Sequence, residues 1–350
     1  MGNVTIGMDL GDKNHVVCGL DQKGNKCFHR RILNDQDELV KFFSQYPNAT
    51  VAMEAGTHSP WISRLLNDMG LHVMVGNPRK LRVIWDNDKK DDNYDAEMLA
   101  RVARVDTKLF YPVSHRSLSA QIDLELLQAR DALVKSRTSL INHVRGSVKA
   151  VGKRIPKCST PCFHRKAKEH LPKGLDVTLL PMLETIGQLT DQIKVYDKQI
   201  ENLCLEKYPE VELLTSIKGI GTLTALAFIL VLEDHSRFEK SRQVGSFLGL
   251  TPRRDQSGET DKQLRITKAG NPFLRRLLVS AAQYILGSFG EKCNLREFGE
   301  RLCERGGKNA KKRAVVAVAR KLAVLLHHLW ATGEVYDPHY RPRRRIKKAA

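Results

Sequence analysis

Asp92 and Asp95 stand three residues apart in Lys90-Asp91-Asp92-Asn93-Tyr94-Asp95-Ala96, a cluster of carboxylates in a chain of formal net charge +19. The apolar run behind them (Ala96, Met98, Leu99, Val102, Ala103) has helical spacing, which puts positions i and i+3 on one face of a first turn. Acids there are favoured by the helix dipole, so a solvated helix start is one reading. Half of a site for a hard divalent cation is another, because such cations take clustered carboxylate oxygens. Asp9 in Gly7-Met8-Asp9-Leu10-Gly11 and Glu54 in Ala52-Met53-Glu54-Ala55-Gly56 are further acids in apolar surroundings. An acid inside such a strand is costly unless something compensates its charge, and a bound cation would do so. Far downstream, Ser257 lies in a Gln-Ser-Gly turn with Arg253, Arg254, Arg265 and Lys268 around it. A serine there is ordinarily a loop residue, and its hydroxyl is a weak nucleophile unless a base or metal activates it.

These residues need elements to hold them. Val4, Ile6, Met8 and Leu10 share one face of a strand, which leaves Asp9 on the other with Thr5 and Gly7. Runs at 15–20 and 27–32 complete an antiparallel meander. A helix over 35–46, a strand over 50–55 ending near Glu54, a helix over 61–69 and a strand over 71–75 follow. That order predicts a mixed α/β layer, with Asp9 in mid-strand and Glu54 at a strand end, where ligand sites occur in such sheets.

Leucine and valine positions repeat every seven residues over a basic helix at 118–153. A second seam starts at Pro181 with Met182, Ile186, Leu189, Ile193, Tyr196, Ile200 and Leu203. The two predict either an antiparallel hairpin or a dimer contact. Between them Cys158, Cys162, His164 and His170 invite a zinc reading, but one residue between Cys162 and His164 is a poor match to finger spacing. Residues 213–225 read as helix, Gly-Ile-Gly turn and helix, resembling a helix-hairpin-helix. There Gly219 and Gly221 let the backbone near a phosphate beside Lys218. Residues 253–260 read as a polar loop, and 308–330 as a last helix.

With 58 Lys plus Arg against 39 Asp plus Glu, the balance favours a polyanionic partner, nucleic acid before membrane. No apolar signal core opens the chain, and the apolar window at 314–330 is interrupted by Arg320 and Lys321, so a buried helix is expected. Seven scattered cysteines fit a reducing cytosol. The tail from Arg341 to Lys348 is a charge run attracted to nucleic acid.

Asp9, Glu54 and the Lys-x-Asp-x-x-Asp-Ala pair Asp92 and Asp95 resemble the Asp-Glu-Asp-Asp set of RuvC-like, ribonuclease-H-fold transposases. An early Asp-x-Gly loop also occurs in the actin and sugar-kinase branch, but no phosphate loop of Walker type accompanies it; Gly306-Gly307-Lys308 lacks the spacing. Gly-Leu-Thr-Pro, Gln-Ser-Gly and Arg-Ile-Thr-Lys-Ala-Gly-Asn in turn look like the C-terminal domain of the DEDD transposases of bacterial insertion sequences. These are the insertion-sequence one-ten family, the bridge-RNA-guided recombinases.

The resemblance implies an α/β plus α chain. Its parts are a RuvC-like domain at 1–112, a helical coiled-coil region at 113–207, a mostly helical serine domain with a helix-hairpin-helix at 208–335 and a basic tail at 336–350. It implies Asp9, Glu54, Asp92 and Asp95 holding Mg²⁺ (or Mn²⁺), and Ser257 as a nucleophile forming a phosphoserine link to DNA. It further implies donor and target DNA, a structured guide RNA, a homo-oligomer assembling from dimer to tetramer, no membrane, and a bacterial cytoplasmic, nucleoid-associated location. The metal would meet Ser257 within one chain or from a partner chain. A metal-dependent junction nuclease using water, and a non-catalytic nucleic-acid scaffold, stay open as alternatives.

Overall fold

A computed structural model describes residues 4–81, 91–258 and 260–340; Lys90, the first three residues and the basic tail from Arg341 lie outside the described residues. The chain divides into two units, Met1–Ser117 and Leu118–Ala350.

In the first unit, strands β1 (Thr5–Asp9), β2 (Asn14–Leu20) and β3 (Lys26–Leu33) form the expected meander. Strands β4 (Thr50–Glu54) and β5 (His72–Gly76) add in parallel to β1, giving the order β3-β2-β1-β4-β5. Parallel neighbours need crossovers, and these carry α1 (Gln36–Phe43) and α2 (Ser59–Asp68). Asp35 starts α1 by accepting the amides of Asp37 and Glu38. Helices α1 and α2 cover one face, where Leu39, Phe42, Phe43, Ile62 and Leu66 pack with Ile6, Met8, Val17, Val51 and Met53.

A third helix, α3 (Asp92–Val105), covers the other face with Ala96, Leu99, Ala100 and Ala103. The approach is backbone to backbone. A Cβ at Gly7 would stand 1.9 Å from the Ala96 carbonyl oxygen and 2.5 Å from the Ala100 nitrogen.

The second unit is mostly helical. Helices α4 (Leu118–Ala150) and α6 (Asp176–Lys207), with the short α5 (Phe163–Lys168) between them, form an antiparallel hairpin within the chain. The ion pairs Lys207–Asp123 and Arg130–Asp197 and the Arg137–Thr190 hydrogen bond set its register. At 33 residues α4 is about 50 Å long. Helix α6 begins at Asp176, five residues before the Pro181 start expected from the seam. A proline near a helix start forfeits one backbone hydrogen bond, and burial of Leu179 and Leu183 at the hairpin tip offsets it.

Near its base the hairpin shares a core with α7 (Glu210–Thr215), α8 (Thr222–Leu232), α9 (Arg242–Phe247), α10 (Pro272–Leu286), α11 (Asn294–Glu304) and α12 (Ala310–Thr332). Helix α12 is long and apolar enough to cross a membrane by length and composition. In this unit its Ala314, Val318, Leu322, Leu326 and Leu329 are buried in the core, and Lys321 stacks 4.5 Å from the Phe298 ring centroid.

Residues read as a polar loop form a two-stranded ribbon, β6 (Pro252–Ser257) and β7 (Thr260–Ile266). Almost all its described residues are exposed, so no hydrophobic alternation marks it in the sequence.

The contact at Gly7 yields a direct test. Gly7→Ala is expected to destabilise the first unit by about 3 kcal/mol in denaturant titration, because backbone has to move. Gly56→Ala, where an added Cβ meets nothing within 4 Å, is expected to cost less than about 0.5 kcal/mol.

Candidate active site

Strands β1 and β4 run side by side with Met8 paired to Met53, so Asp9 and Glu54 leave the sheet together, one residue further on. Strand alternation puts both on the face that α3 covers, since Met8 and Met53 lie in the core on the other face. Asp95, half-buried in the first turn of α3, joins them. Asp91 is accounted for as the helix cap, its carboxylate accepting the Asn93 amide. Asp92 is exposed on the first turn.

The carboxylates brought together feel one another. Burial first, and then the negative charges of Asp9 and Asp95, push the Glu54 carboxyl up from an ordinary 4.5 to about 6. Its Oε1 is buried without a hydrogen-bond partner among the described residues. An acceptor oxygen in that position, facing two more acids, is chemistry that a hard cation satisfies. Among the described residues no three His, Cys, Asp or Glu side chains converge as a finished ligand group. The acids are therefore an assembled charge cluster rather than a closed cage. Asp9, Glu54 and Asp95 are the residues that would hold a cation, with Asp92 one turn before Asp95. Cys158, Cys162, His164 and His170 likewise form no such group among the described residues.

The sequence reading missed a polar network at this sheet edge. Asn34 accepts at Oδ1 from His15 Nε2 (2.9 Å) and donates from Nδ2 to the Asp12 carbonyl (2.8 Å). His58, four residues after Glu54, lies 3.5 Å from the Asp12 carboxylate and receives the Trp61 indole N–H. Desolvation lowers the pKa of His15, which through Asn34 braces the loop that follows Asp9. Histidines distant in sequence give no spacing signal, which is why only the tertiary structure reveals the network.

Ser257 is the last residue of β6 and is exposed; Gly258, with φ +53°, turns the chain. Pairing of Ser257 with Thr260 and of Asp255 with Lys262 puts those four residues on one face of the ribbon. Lys262 is thus a cation on the serine's own face that the sequence reading did not select. Arg254 belongs to the opposite face, where its guanidinium holds the Asp261 carboxylate in a two-point contact. Arg253 and Arg265 both fall at an irregularity between the Arg254–Gln263 and Pro252–Ile266 pairs, where the alternation of the ribbon breaks.

The flanking motifs form the clasp under the ribbon. Thr267 N–H donates to the Thr251 carbonyl, Lys268 N–H to the Gly249 carbonyl, and Arg275 to the carbonyls of Leu248 and Ala269. Lys268 is thereby held in the left-handed region at φ +54°.

The turn between α7 and α8 carries its two glycines for different reasons. Gly219 has φ +98°, and an added Cβ would meet Tyr284 at 2.8 Å. Gly221 has φ −96° and nothing within 4 Å of an added Cβ, so neither conformation nor packing demands glycine there. It leads into α8 with no side-chain cap; the Thr224 and Ala225 amides donate to the Gly221 carbonyl, and Lys218 nearby is exposed.

Two expectations follow from these surroundings. The folded chain binds the Glu54 proton more tightly than the unfolded chain does. The group's contribution therefore favours folding below about pH 4.5 and is lost as pH rises through about 6. Glu54→Gln should raise the metal-free melting temperature by a few degrees at pH 7.5 and leave it nearly unchanged at pH 4 in calorimetry. At the turn, Gly219→Ala should lower stability by about 2 kcal/mol. Gly221→Ala should fold normally yet weaken duplex DNA binding in an anisotropy titration.

Residues 211–297 match the family described as "Transposase IS116/IS110/IS902 family", and residues 6–152 match a DEDD transposase domain of IS110 type. The four acids fall inside the second match and Ser257 inside the first. Over 95% of its length the chain is 30% identical to the transposase for insertion sequence element IS1111A of Coxiella burnetii, spanning 90% of that protein. It is 31% identical to the transposase for insertion sequence element IS1328 of Yersinia enterocolitica, over 81% of this chain and 84% of the other. A pilin gene-inverting protein of Moraxella lacunata is 31% identical over 44% of this chain and 48% of its own length. With identity at that level along nearly the whole chain, and with both matched segments enclosing the residues just described, this chain belongs to the IS116/IS110/IS902 family of transposases.

Proposed function

We propose that this transposase cuts and rejoins DNA through a RuvC-like, ribonuclease-H-fold unit and a serine unit that act on the same phosphodiester. The observation that carries the reading is the Glu54 carboxylate, buried with an unpartnered oxygen beside Asp9 and Asp95. When bound there, Mg²⁺ or Mn²⁺ would supply charge neutralisation and activation of the attacking oxygen. Asp9, Glu54, Asp92 and Asp95 are the proposed ligands, and the strand order and the DEDD family match support that assignment.

Ser257 is the proposed nucleophile. Its Oγ gives up a proton and forms a bond to phosphorus as the P–O bond to the sugar breaks, and the sugar oxygen leaves with a proton. The strand is then held as a phosphoserine ester. A sugar hydroxyl of the strand to be joined attacks that ester, and Ser257 recovers its proton. Bonds made and broken balance, so no external energy source is needed. Placement of Ser257 on an exposed ribbon end with Lys262 on the same face supports access of a phosphate and stabilisation of its charge. Arg253, Arg265 and Lys268 are further candidates for phosphate contact, whereas Arg254 is engaged by Asp261.

The turn at Lys218, Gly219 and Gly221, proposed as a helix-hairpin-helix, would add sequence-independent contacts to the backbone. The family resemblance extends the proposal to a structured guide RNA and to dimers that assemble into tetramers on donor and target DNA.

Ser257→Ala should lower strand joining by about 10³-fold or more, and protein denatured after reaction should carry covalently attached DNA only when Ser257 is present. Asp9→Asn, Glu54→Gln, Asp92→Asn and Asp95→Asn should each abolish cleavage while DNA binding survives. Full activity of Ser257→Ala would instead favour a carboxylate nuclease that uses water.

A further inference from the structure

The distal end of the α4–α6 hairpin carries a feature that the proposed chemistry does not use. Between Asp131 and Glu169 the sequence has ten Lys or Arg residues and not one Asp or Glu. A charge run of this length on a helix is usually a solvated face. Here the fold gathers part of it around one concavity of about 350 Å³, lined by Arg145, Lys149, Arg154, Ile155 and Lys157.

Arg145 and Lys149 lie four residues apart on the last turns of α4, so they share a face. Chain reversal after α4 brings Arg154 and Lys157 alongside them. Ile155, buried in the tip core with Val144, Val148 and Phe163, pins that segment from beneath. The Arg145 guanidinium is set in place over the Phe163 ring, 5.0 Å from its centroid. None of the four cations makes an ion pair with a described residue, whereas Arg130, Lys135, Lys166 and Lys194 elsewhere on the hairpin each do.

Four like charges held around one hollow repel one another unless an anion occupies it. We propose that this hollow is a binding site for the phosphodiester backbone of nucleic acid, separate from the carboxylate cluster and from the serine ribbon. Its openness and the exposed Lys149, Arg154 and Lys157 fit a continuous polyanion passing across it better than a small enclosed anion. The contact is to phosphate and positions the nucleic acid without reading bases. The site stands whether or not Ser257 forms a covalent link.

Lysine acetylation followed by mass spectrometry tests this on the full-length protein. A 40-base-pair duplex DNA and a folded hairpin RNA are each added at saturation in separate arms. Protection of Lys149 and Lys157 by at least about fivefold, with exposed Lys23 and Lys41 unchanged, is the expected result; the arm that protects identifies DNA or RNA as the source. Unchanged modification of Lys149 and Lys157 with both nucleic acids bound overturns the proposal. So does failure to bind either, or protection by anionic phospholipid vesicles alone.

A second readout uses the variant K149Q/R154Q/K157Q, which alters only exposed side chains. The slope of log affinity against log salt should flatten by about 2 to 3 for duplex DNA, near the full value for three lost phosphate contacts. The control K23Q/K41Q/K198Q, of equal charge, should shift it by less than about 1; equal shifts in the two variants overturn the site. Neither readout involves strand cleavage, so a failed serine mechanism and a failed phosphate site remain distinguishable.

Discussion

The close seating of α3 on β1 is the constraint on which the first unit depends. Only a residue without a side chain at position 7 lets the Ala96 carbonyl and the Ala100 amide come down onto the strand. Small residues continue the contact, with Ala96, Ala100 and Ala103 on the helix and Ala52 on β4. A helix held that near the sheet carries its first turn to the strand ends. Asp95 then stands close enough for its charge to act on Glu54, together with that of Asp9. Site formation and core packing are in this sense one event.

That event has an energetic cost. Burying Glu54 beside the negative charges of Asp9 and Asp95 disfavours its ionisation, and its raised carboxyl pKa records it. The apolar layer under α1 and α2 offsets it, since fully buried Phe43, Ile6, Met8, Met53 and Leu66 each contribute about 1.5–3 kcal/mol. Around the edge, His15, Asn34 and His58 fix the loops that follow Asp9 and Glu54. The second unit treats its proposed nucleophile differently. Ser257 is not buried but carried outward on a ribbon whose base is locked by backbone contacts and by Arg275.

Charge is distributed unevenly between pairing and freedom. Arg254 with Asp261, Arg130 with Asp197, and Arg276 and Lys135 with Asp131 are satisfied within the chain. The cations at the hairpin tip and Lys262 on the serine face are not among those pairs. The basic excess behind a net charge of +19 thus divides into cations held in structural pairs and cations outside them. Composition cannot make that division, because pairing depends on which elements meet.

Five strands, their meander, the acids at the strand ends and the two long helices were legible from residues alone, since period-2 and period-3.6 patterns and helix caps are local properties. The Asp-Glu-Asp-Asp spacing and the glycine-bearing motifs around Ser257 likewise stood in the sequence. Only the tertiary structure decided that β6 and β7 are strands, because a ribbon wet on both faces leaves no hydrophobic alternation to read. It alone separated Gly219, bound by conformation and by Tyr284, from Gly221, bound by neither. It also moved Arg254 to the far face from Ser257 and brought Lys262 to the near one. Register and packing are relations between distant segments, and a one-dimensional pattern carries the propensity to form an element but not the partner it will meet.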